Sequence, residues 1–212
     1  MSEEHITFMS GDLRLEGIIA TPVGKGRFPV VILCHPHPLY GGDMYDHVIS
    51  TVAQALLNRG IATLRFNFRG VGESQGSYGR GQGEKKDTVA AIDYVLARPD
   101  VSPDRIGLAG YSFGGGVAFN VALNENRIMA LALISPVIPD SGWKRLGEYQ
   151  KPKLLTLGDR DEYFPLAAYG PKISDAMKES EYAIFPGADH FWTGSVVTMA
   201  ERVSQFFAIS VI

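Results

Sequence analysis

Short apolar runs that alternate with helical patterns constrain the fold of this chain more than any other feature. The runs lie at residues 30–34, 62–68, 106–109, 130–134, 153–157 and 182–185. Such runs are typical of strands buried on both faces of a parallel sheet. Segments with helical spacing lie between or after them, at residues 48–57, 87–96, 114–123, 166–177 and 196–207. The alternation predicts a doubly wound, mostly parallel α/β sheet with right-handed crossovers.

Two alternating segments, residues 6–9 and 13–20, precede this pattern. The intervening Ser10, Gly11 and Asp12 favour a tight turn, so we predict an N-terminal antiparallel hairpin. The glycine-rich stretch 70–83 is predicted to be a long surface loop between a strand and a helix. Because no repeat, low-complexity tract or shift in composition marks a boundary, we predict a single domain over residues 1–212.

The composition excludes several classes of function. Twenty basic against 23 acidic side chains give a net charge of −3, which offers no basic surface for nucleic acid or an anionic membrane. No apolar run approaches the roughly 18 residues needed to span a bilayer, and the N-terminus does not resemble a secretory signal. A single cysteine excludes an internal disulfide framework. We therefore expect a soluble cytoplasmic protein, and the sequence leaves homo-oligomerisation open.

The segment Gly110-Tyr111-Ser112-Phe113-Gly114 follows one apolar run and precedes a helical pattern. It matches G-x-S-x-G in a strand–turn–helix context, where a strained turn exposes the serine hydroxyl above the sheet. The helix N-terminus behind it favours developing negative charge. We interpret Ser112 as a candidate nucleophile; a plain glycine-rich turn is the alternative.

A serine nucleophile needs a base, and the base needs an orienting acid. His190 lies in the loop after the last apolar run, just before the final helix. Asp159 and Asp161 leave the preceding run together, and we favour Asp161 because of its place in the loop before Pro165. Asp159 is the reserve candidate, and Asp189 is interpreted as a residue that shapes the loop.

With these residues in the order Ser112, Asp161 and His190, the chain resembles a compact α/β-hydrolase without a cap domain. Two further segments, His35-Pro36-His37-Pro38 with Gly41-Gly42 and the stretch 67–74, resemble a small bacterial subgroup of dienelactone-hydrolase-like proteins. The resemblance implies hydrolysis of esters or related acyl groups without a cofactor, and a small-molecule ester as the partner. It does not fix the substrate.

The histidine-rich stretch 34–47 has three interpretations. His35, His37, Asp43 and His47 are acceptable metal ligands, but two prolines stiffen the backbone and His47 is expected to open a helix elsewhere. Cys34 closes an apolar strand, where a buried structural thiol is the usual case. We therefore favour the third interpretation, a loop that completes an oxyanion hole, and we predict no metal.

An oxyanion hole needs two backbone N–H donors. Phe113, which follows the nucleophile, supplies one, and the loop after Cys34 supplies the other. Relatives usually carry His-Gly in this loop, whereas this chain has His35-Pro36. Since proline has no N–H, His37 is the expected donor and Leu39 the second candidate. His35 is expected to brace the loop.

The region around the candidate site suggests an open cleft. Only residues 136–151 separate two strands where larger relatives insert a lid. Candidate aromatic lining residues are Tyr40, Tyr111, Phe164 and Trp192, with Trp143 and Tyr149 at the mouth. Arg69 is expected to pair with Asp43 or Glu73. We predict a serine hydrolase of small to medium esters; a peptidase, thioesterase, acyltransferase or non-catalytic binding protein remain alternatives.

Overall fold

A computed structural model of the protein describes residues 2–178 and 180–211. Within these residues the strands are β1 (Ser2–Ser10), β2 (Leu13–Thr21), β3 (Phe28–Cys34), β4 (Ala62–Phe66), β5 (Val101–Tyr111), β6 (Ile128–Ile134), β7 (Lys153–Gly158) and β8 (Glu181–Phe185). The helices are α1 (His47–Leu57), α2 (Gln82–Leu96), α3 (Phe113–Ala122), α4 (Gly142–Glu148), α5 (Leu166–Ala176) and α6 (Val196–Ser210). Strands and helices alternate from β3 onward, as predicted.

The strands form one sheet in the order β1-β2-β4-β3-β5-β6-β7-β8. β1 and β2 form the predicted antiparallel hairpin, and β2 pairs antiparallel with β4. All other neighbours are parallel. The prediction of a mostly parallel α/β-hydrolase sheet with an N-terminal hairpin is therefore confirmed. The carboxyl ends of β3, β5, β7 and β8 lie on one edge, where ligands bind in such sheets.

Strand β3 explains why the sequence shows continuous apolar runs. Val30, Ile32 and Cys34 belong to one hydrophobic core, and Val31 and Leu33 belong to a second core. Because successive side chains of a strand point to opposite faces, a strand covered on both sides must be apolar throughout. Helices α1 and α6 cover the second core, and α2 to α5 cover the first.

Helix α2 begins five residues earlier than the sequence predicted, at Gln82 rather than Asp87. The buried carboxylate of Glu84 accepts hydrogen bonds of 2.7 Å from the N–H groups of Gly79 and Gly81. These bonds satisfy donors ahead of the helix, as a capping glutamate does. The glycine-rich loop is therefore shorter than predicted and ends at Gly81.

The segment between β6 and β7 carries only α4, a helix of seven residues. It packs into the first core through Trp143 and Leu146. The prediction of a fold without a cap domain is therefore confirmed. Within the described residues, no helix combines the length and apolar character needed to cross a membrane.

Candidate active site

Ser112 occupies a sharp turn between β5 and α3. Its φ of 54° and ψ of −117° place a non-glycine residue in a conformation that costs free energy. The flanking glycines make the turn feasible. A Cβ at Gly110 would overlap the backbone of Gly114, and a Cβ at Gly114 would overlap the carbonyl oxygens of Cys34 and His35. The turn thus holds the serine hydroxyl at the edge of the sheet, and α3 begins at Phe113.

The three side chains proposed from the sequence lie in one hydrogen-bonded chain. Ser112 Oγ lies 3.1 Å from His190 Nε2. His190 Nδ1 lies 2.8 Å from Asp161 Oδ2. Since an ionised carboxylate only accepts, Nδ1 carries the proton and Nε2 is the acceptor of the serine O–H. This geometry leaves Nε2 able to take a proton from Ser112.

The other two aspartates near this edge are engaged elsewhere. Asp159 Oδ1 accepts the N–H of Gly187, and Asp189 Oδ1 accepts the N–H of Thr193, a bond that lowers the pKa of Asp189. Asp161 uses its second oxygen, Oδ1, to accept the N–H groups of Tyr163 and Phe164. These bonds hold its Oδ2 toward His190. The structure therefore brings Asp161, not Asp159 or Asp189, to the histidine.

Two side chains outside the predicted triad and oxyanion hole hold the loop that carries His190. The Tyr111 hydroxyl donates a 2.9 Å hydrogen bond to the backbone carbonyl of His190. Burial raises the pKa of Tyr111, so the phenol remains a donor. His47 Nε2 donates a 2.8 Å bond to the carbonyl of Phe191. The sequence placed Tyr111 beside the nucleophile but did not indicate either bond.

His35 is fully buried and braces the loop after β3, as expected. Its Nδ1 donates to the carbonyl of Pro36 at 2.7 Å, and its Nε2 accepts the N–H of Phe68 at 3.0 Å. Burial lowers the pKa of His35 to about 4. The imidazole is therefore neutral at physiological pH. Protonation would add a hydrogen to Nε2, which would then face the N–H of Phe68 and have no acceptor.

His37 and Leu39, the two candidate oxyanion donors, are linked by a hydrogen bond. The Leu39 N–H donates to His37 Nδ1 at 3.2 Å, so Nδ1 is unprotonated and Nε2 carries the proton. His37 Nε2 lies 3.1 Å from the Tyr78 hydroxyl, and its ring packs 4.8 Å from the ring of Phe113. Burial lowers the pKa of His37. The Leu39 N–H thus already has an acceptor. Among the described residues, the His37 N–H donates no hydrogen bond.

The remaining features of the histidine-rich stretch are structural. Cys34 is fully buried, and burial raises its pKa to about 12, so the thiol is a poor nucleophile. Asp46 begins α1 by accepting the N–H groups of Val48 and Ile49. Across the described ranges, His, Cys, Asp and Glu side chains form no group of three suited to a metal ion.

The predicted pairing of Arg69 with Asp43 or Glu73 is wrong. Arg69 makes a bidentate contact with Asp87 of α2, at 2.7 Å from Nη2 to Oδ1 and 3.0 Å from Nε to Oδ2. Asp87 is fully buried, and a buried carboxylate requires a close cationic partner. Asp43 instead accepts the N–H of Tyr45. Arg69 therefore braces the glycine-rich loop against α2.

The predicted set of aromatic lining residues is largely wrong. Only Tyr40 is exposed, at 88%, and its ring lies 4.7 Å from that of His37. The others are buried in the two cores: Tyr111, Trp143, Tyr149, Phe164 and Trp192.

The rings that do flank the candidate triad are Tyr163 and Phe191. They are 68% and 54% exposed, and their centroids lie 4.7 and 5.6 Å from that of His190. The sequence signal for these two rings was their position: Tyr163 lies two residues after Asp161, and Phe191 follows His190 directly.

Known proteins resemble this chain over most of its length. The family model for X-Pro dipeptidyl-peptidase (S15 family) matches residues 11–161. The structure of an α/β serine hydrolase homologue from Coxiella burnetii is 34% identical with a TM-score of 0.86, covering 97% of each chain. One from Xanthomonas campestris, described as a serine hydrolase without lid, is 28% identical with a TM-score of 0.83, covering 97% of this chain and 93% of its own. An uncharacterised protein from Rickettsia prowazekii is 28% identical over 95% of this chain and 87% of its own.

Proposed function

This chain belongs to the X-Pro dipeptidyl-peptidase (S15) family of serine hydrolases, and we propose that it cleaves small to medium carboxylic esters through an acyl-enzyme. The nucleophile is Ser112, the general base is His190, and Asp161 orients the base. One observation carries the proposal: His190 is within hydrogen-bond distance of Ser112 Oγ through Nε2 and of Asp161 through Nδ1. This is the relation that activates a serine hydroxyl.

In the first half of the reaction, Ser112 Oγ attacks the acyl carbonyl carbon while His190 Nε2 takes the hydroxyl proton. The carbonyl π electrons move to oxygen and form a tetrahedral oxyanion. When the intermediate collapses, the C–O bond of the ester breaks and His190 returns the proton to the departing alcohol. Asp161 stabilises the imidazolium that forms between these steps.

The oxyanion is stabilised by the N–H groups of Phe113 and His37 in this proposal. Phe113 is the first residue of α3, so its N–H has no partner within the helix. The hydrogen bond from Leu39 to the His37 ring engages the N–H of the second candidate and favours His37. Donors of this kind contribute about 10²–10³-fold to kcat in acyl transfer.

In the second half of the reaction, water attacks the acyl carbon while His190 takes a proton from it. The bond from the acyl carbon to Ser112 Oγ then breaks, His190 returns the proton to Oγ, and the acid product leaves. The exposed rings of Tyr40 and Tyr163 pack beside His37 and His190, and only the seven-residue helix α4 stands where a lid would be inserted. An open cleft suits short and medium acyl groups better than long chains that require an enclosed tunnel. The local chemistry requires no cofactor.

The test is hydrolysis of p-nitrophenyl acetate and butyrate by wild-type protein and by Ser112→Ala. We expect a burst and steady turnover from the wild type only, with a loss of at least about 10³-fold in the variant. Absence of turnover in wild-type protein, or equal rates in both proteins, contradicts the proposal. Mass spectrometry of the trapped acyl-enzyme identifies the acylated residue.

A peptidase is the second candidate, because the family match itself carries a peptidase name. The same triad chemistry cleaves amides, so only substrates separate the two functions. Parallel assays with an X-Pro p-nitroanilide, an acyl thioester and an ester plus an alcohol acceptor distinguish peptidase, thioesterase and acyltransferase activity. If the p-nitroanilide has a higher kcat/KM than every ester, the peptidase is the correct function.

A non-catalytic binding protein is tested with a fluorophosphonate probe. The probe reacts with an activated serine regardless of the natural substrate. Labelling of folded wild-type protein at Ser112, lost in His190→Ala, supports a hydrolase. A folded wild-type protein that resists the probe supports a binding role.

We also propose, from the sequence, that the protein works in the cytoplasm.

A further inference from the structure

A groove of about 230 Å³ begins beside the Ser112 turn and runs between α2 and α3. Its lining includes Arg80, Lys85, Phe113, Gly116, Asn120 and Val137. Two residues of its lining are bonded to the backbone of the Ser112 turn: the Ser112 carbonyl accepts the N–H groups of Gly116 and Val137, at 3.2 and 3.0 Å. The triad does not use this groove.

The charge of the groove is positive. Arg80 and Lys85 line it, and among residues 2–178 and 180–211 no carboxylate lies within ion-pair distance of either. The neighbouring Arg69 differs, because Asp87 neutralises it. Glu84, the other acid nearby, is fully buried and directs its oxygens to backbone N–H groups.

The backbone on both sides of Arg80 is held by that buried glutamate. Glu84 accepts the N–H of Gly79 on one side of Arg80 and the N–H of Gly81 on the other. Between them, Arg80 adopts a φ of 52°, a left-handed conformation that is uncommon for arginine. A cation on a preorganised backbone loses less entropy when it binds an anion than one on a mobile loop.

The floor of the groove is apolar. Phe113, Val117 and Val137 line it, and Val137 is 57% exposed. From Phe113 to Asn120 the helix extends about 10 Å, at about 1.5 Å per residue. The groove can therefore hold a chain of several methylenes that runs away from Ser112.

We infer that the groove binds the acyl chain of an ester that ends in a carboxylate, with Arg80 and Lys85 as its anion-binding residues. The inference rests on the proposed esterase function and specifies its substrate class as monoesters of dicarboxylic acids. The same cations disfavour a substrate whose free ammonium group enters the groove. A peptide N-terminus is therefore a poor occupant.

The experiment compares monoethyl adipate and suberate with ethyl hexanoate and octanoate, which have equal chain lengths and no second carboxylate. We expect wild-type kcat/KM to favour the monoesters by on the order of tenfold. In the double variant Arg80→Gln/Lys85→Gln the ratio of kcat/KM for monoesters to kcat/KM for neutral esters should fall to about 1. The kcat/KM for neutral esters should itself change less than about twofold. Lys86→Gln, next to Lys85 but outside the groove lining, is the matched control and should keep the preference.

A second measurement separates this inference from the esterase proposal. Ser112→Ala protein is titrated calorimetrically with monoethyl suberate, with and without the Arg80 and Lys85 substitutions. Binding that is lost with the two cations supports the groove even if wild-type protein hydrolyses no ester. Hydrolysis of neutral esters without preference for monoesters, together with unchanged binding in the substituted protein, overturns the groove and leaves the esterase intact.

Discussion

The hydroxyl of Tyr111 donates a 2.9 Å hydrogen bond to the backbone carbonyl of His190, so the residue before the candidate nucleophile also holds the candidate base. The peptide link to Ser112 and this bond together connect the candidate nucleophile and the candidate base by a route independent of Asp161. Tyr111 is buried in the core under α6, which makes the link rigid. We interpret Tyr111 as a positioning residue.

Tyr111→Phe removes this hydroxyl and keeps the ring in the core. We expect kcat to fall about fivefold with KM changed less than about twofold, because the shift in the His190 backbone affects proton transfer and leaves ester binding intact. The free energy of unfolding should fall by about 1 kcal/mol for the lost hydrogen bond. Steady-state kinetics and urea unfolding measure the two effects.

Tyr149→Phe is the matched control for this variant. Tyr149 is also buried, but its hydroxyl has no hydrogen-bond partner among the described residues. Removal of that hydroxyl should leave kcat unchanged. Equal kcat values in Tyr111→Phe and wild type would show that the bond to His190 does not position the base.

The assignment of the acid is tested by a pair of aspartates two residues apart. Asp161→Asn replaces the carboxylate that faces His190 Nδ1, and the amide can present an N–H to that nitrogen and favour the wrong tautomer. We expect kcat to fall by about 10³–10⁴-fold. Asp159→Asn retains an oxygen that can accept the N–H of Gly187, so its kcat should stay within about threefold of wild type. A larger loss in Asp159→Asn than in Asp161→Asn would reverse the assignment.

The sequence predicted the fold because the relevant signals are local. Strands β3, β5, β6 and β7 contribute apolar residues to both cores, as residues 30–34 illustrate, and the strand ends place Ser112, Asp161 and His190 on one edge. The conformation at Ser112 also follows from local sterics, since Gly110 and Gly114 lack the Cβ atoms that would block the turn. Periodicity and turn chemistry sufficed for these features.

The features that the sequence did not predict depend on contacts between distant segments. The partner of Arg69 is Asp87, and that choice depends on which face of α2 meets the glycine-rich loop. Whether an aromatic ring lines the cleft or the core depends on the direction of its side chain, which separates the exposed Tyr163 from the buried Phe164 next to it. Composition and periodicity predict neither the partner of Arg69 nor the direction of a ring, and proximity to Asp161 applies to Tyr163 and Phe164 alike.

The identity of the second oxyanion donor is tested by removing each end of one hydrogen bond. Leu39→Pro removes the N–H that donates to His37 Nδ1, and His37→Ala removes the acceptor. Both variants lose this loop contact, and His37→Ala also loses the contacts of its ring with Tyr78 and Phe113. If the His37 backbone is the donor, we expect kcat to fall by up to about tenfold in each, with His37→Ala losing at least as much as Leu39→Pro. If Leu39 is the donor, Leu39→Pro should have at least about 10²-fold lower kcat than His37→Ala. Circular dichroism checks that both variants are folded.

The buried neutral His35 should make the fold sensitive to mild acid. Its pKa of about 4 in the folded state lies below the ordinary 6.5, so the unfolded chain binds more protons between these values. The free energy of unfolding should keep its full value above pH 6.5 and fall by on the order of 3 kcal/mol as the pH drops to 4. His35→Gln offers an amide oxygen to the Phe68 N–H without titrating, and His37 is present in both proteins. Urea unfolding from pH 7 to 4 should show a smaller decrease in the variant, and parallel curves would contradict the lowered pKa of His35 in the folded protein.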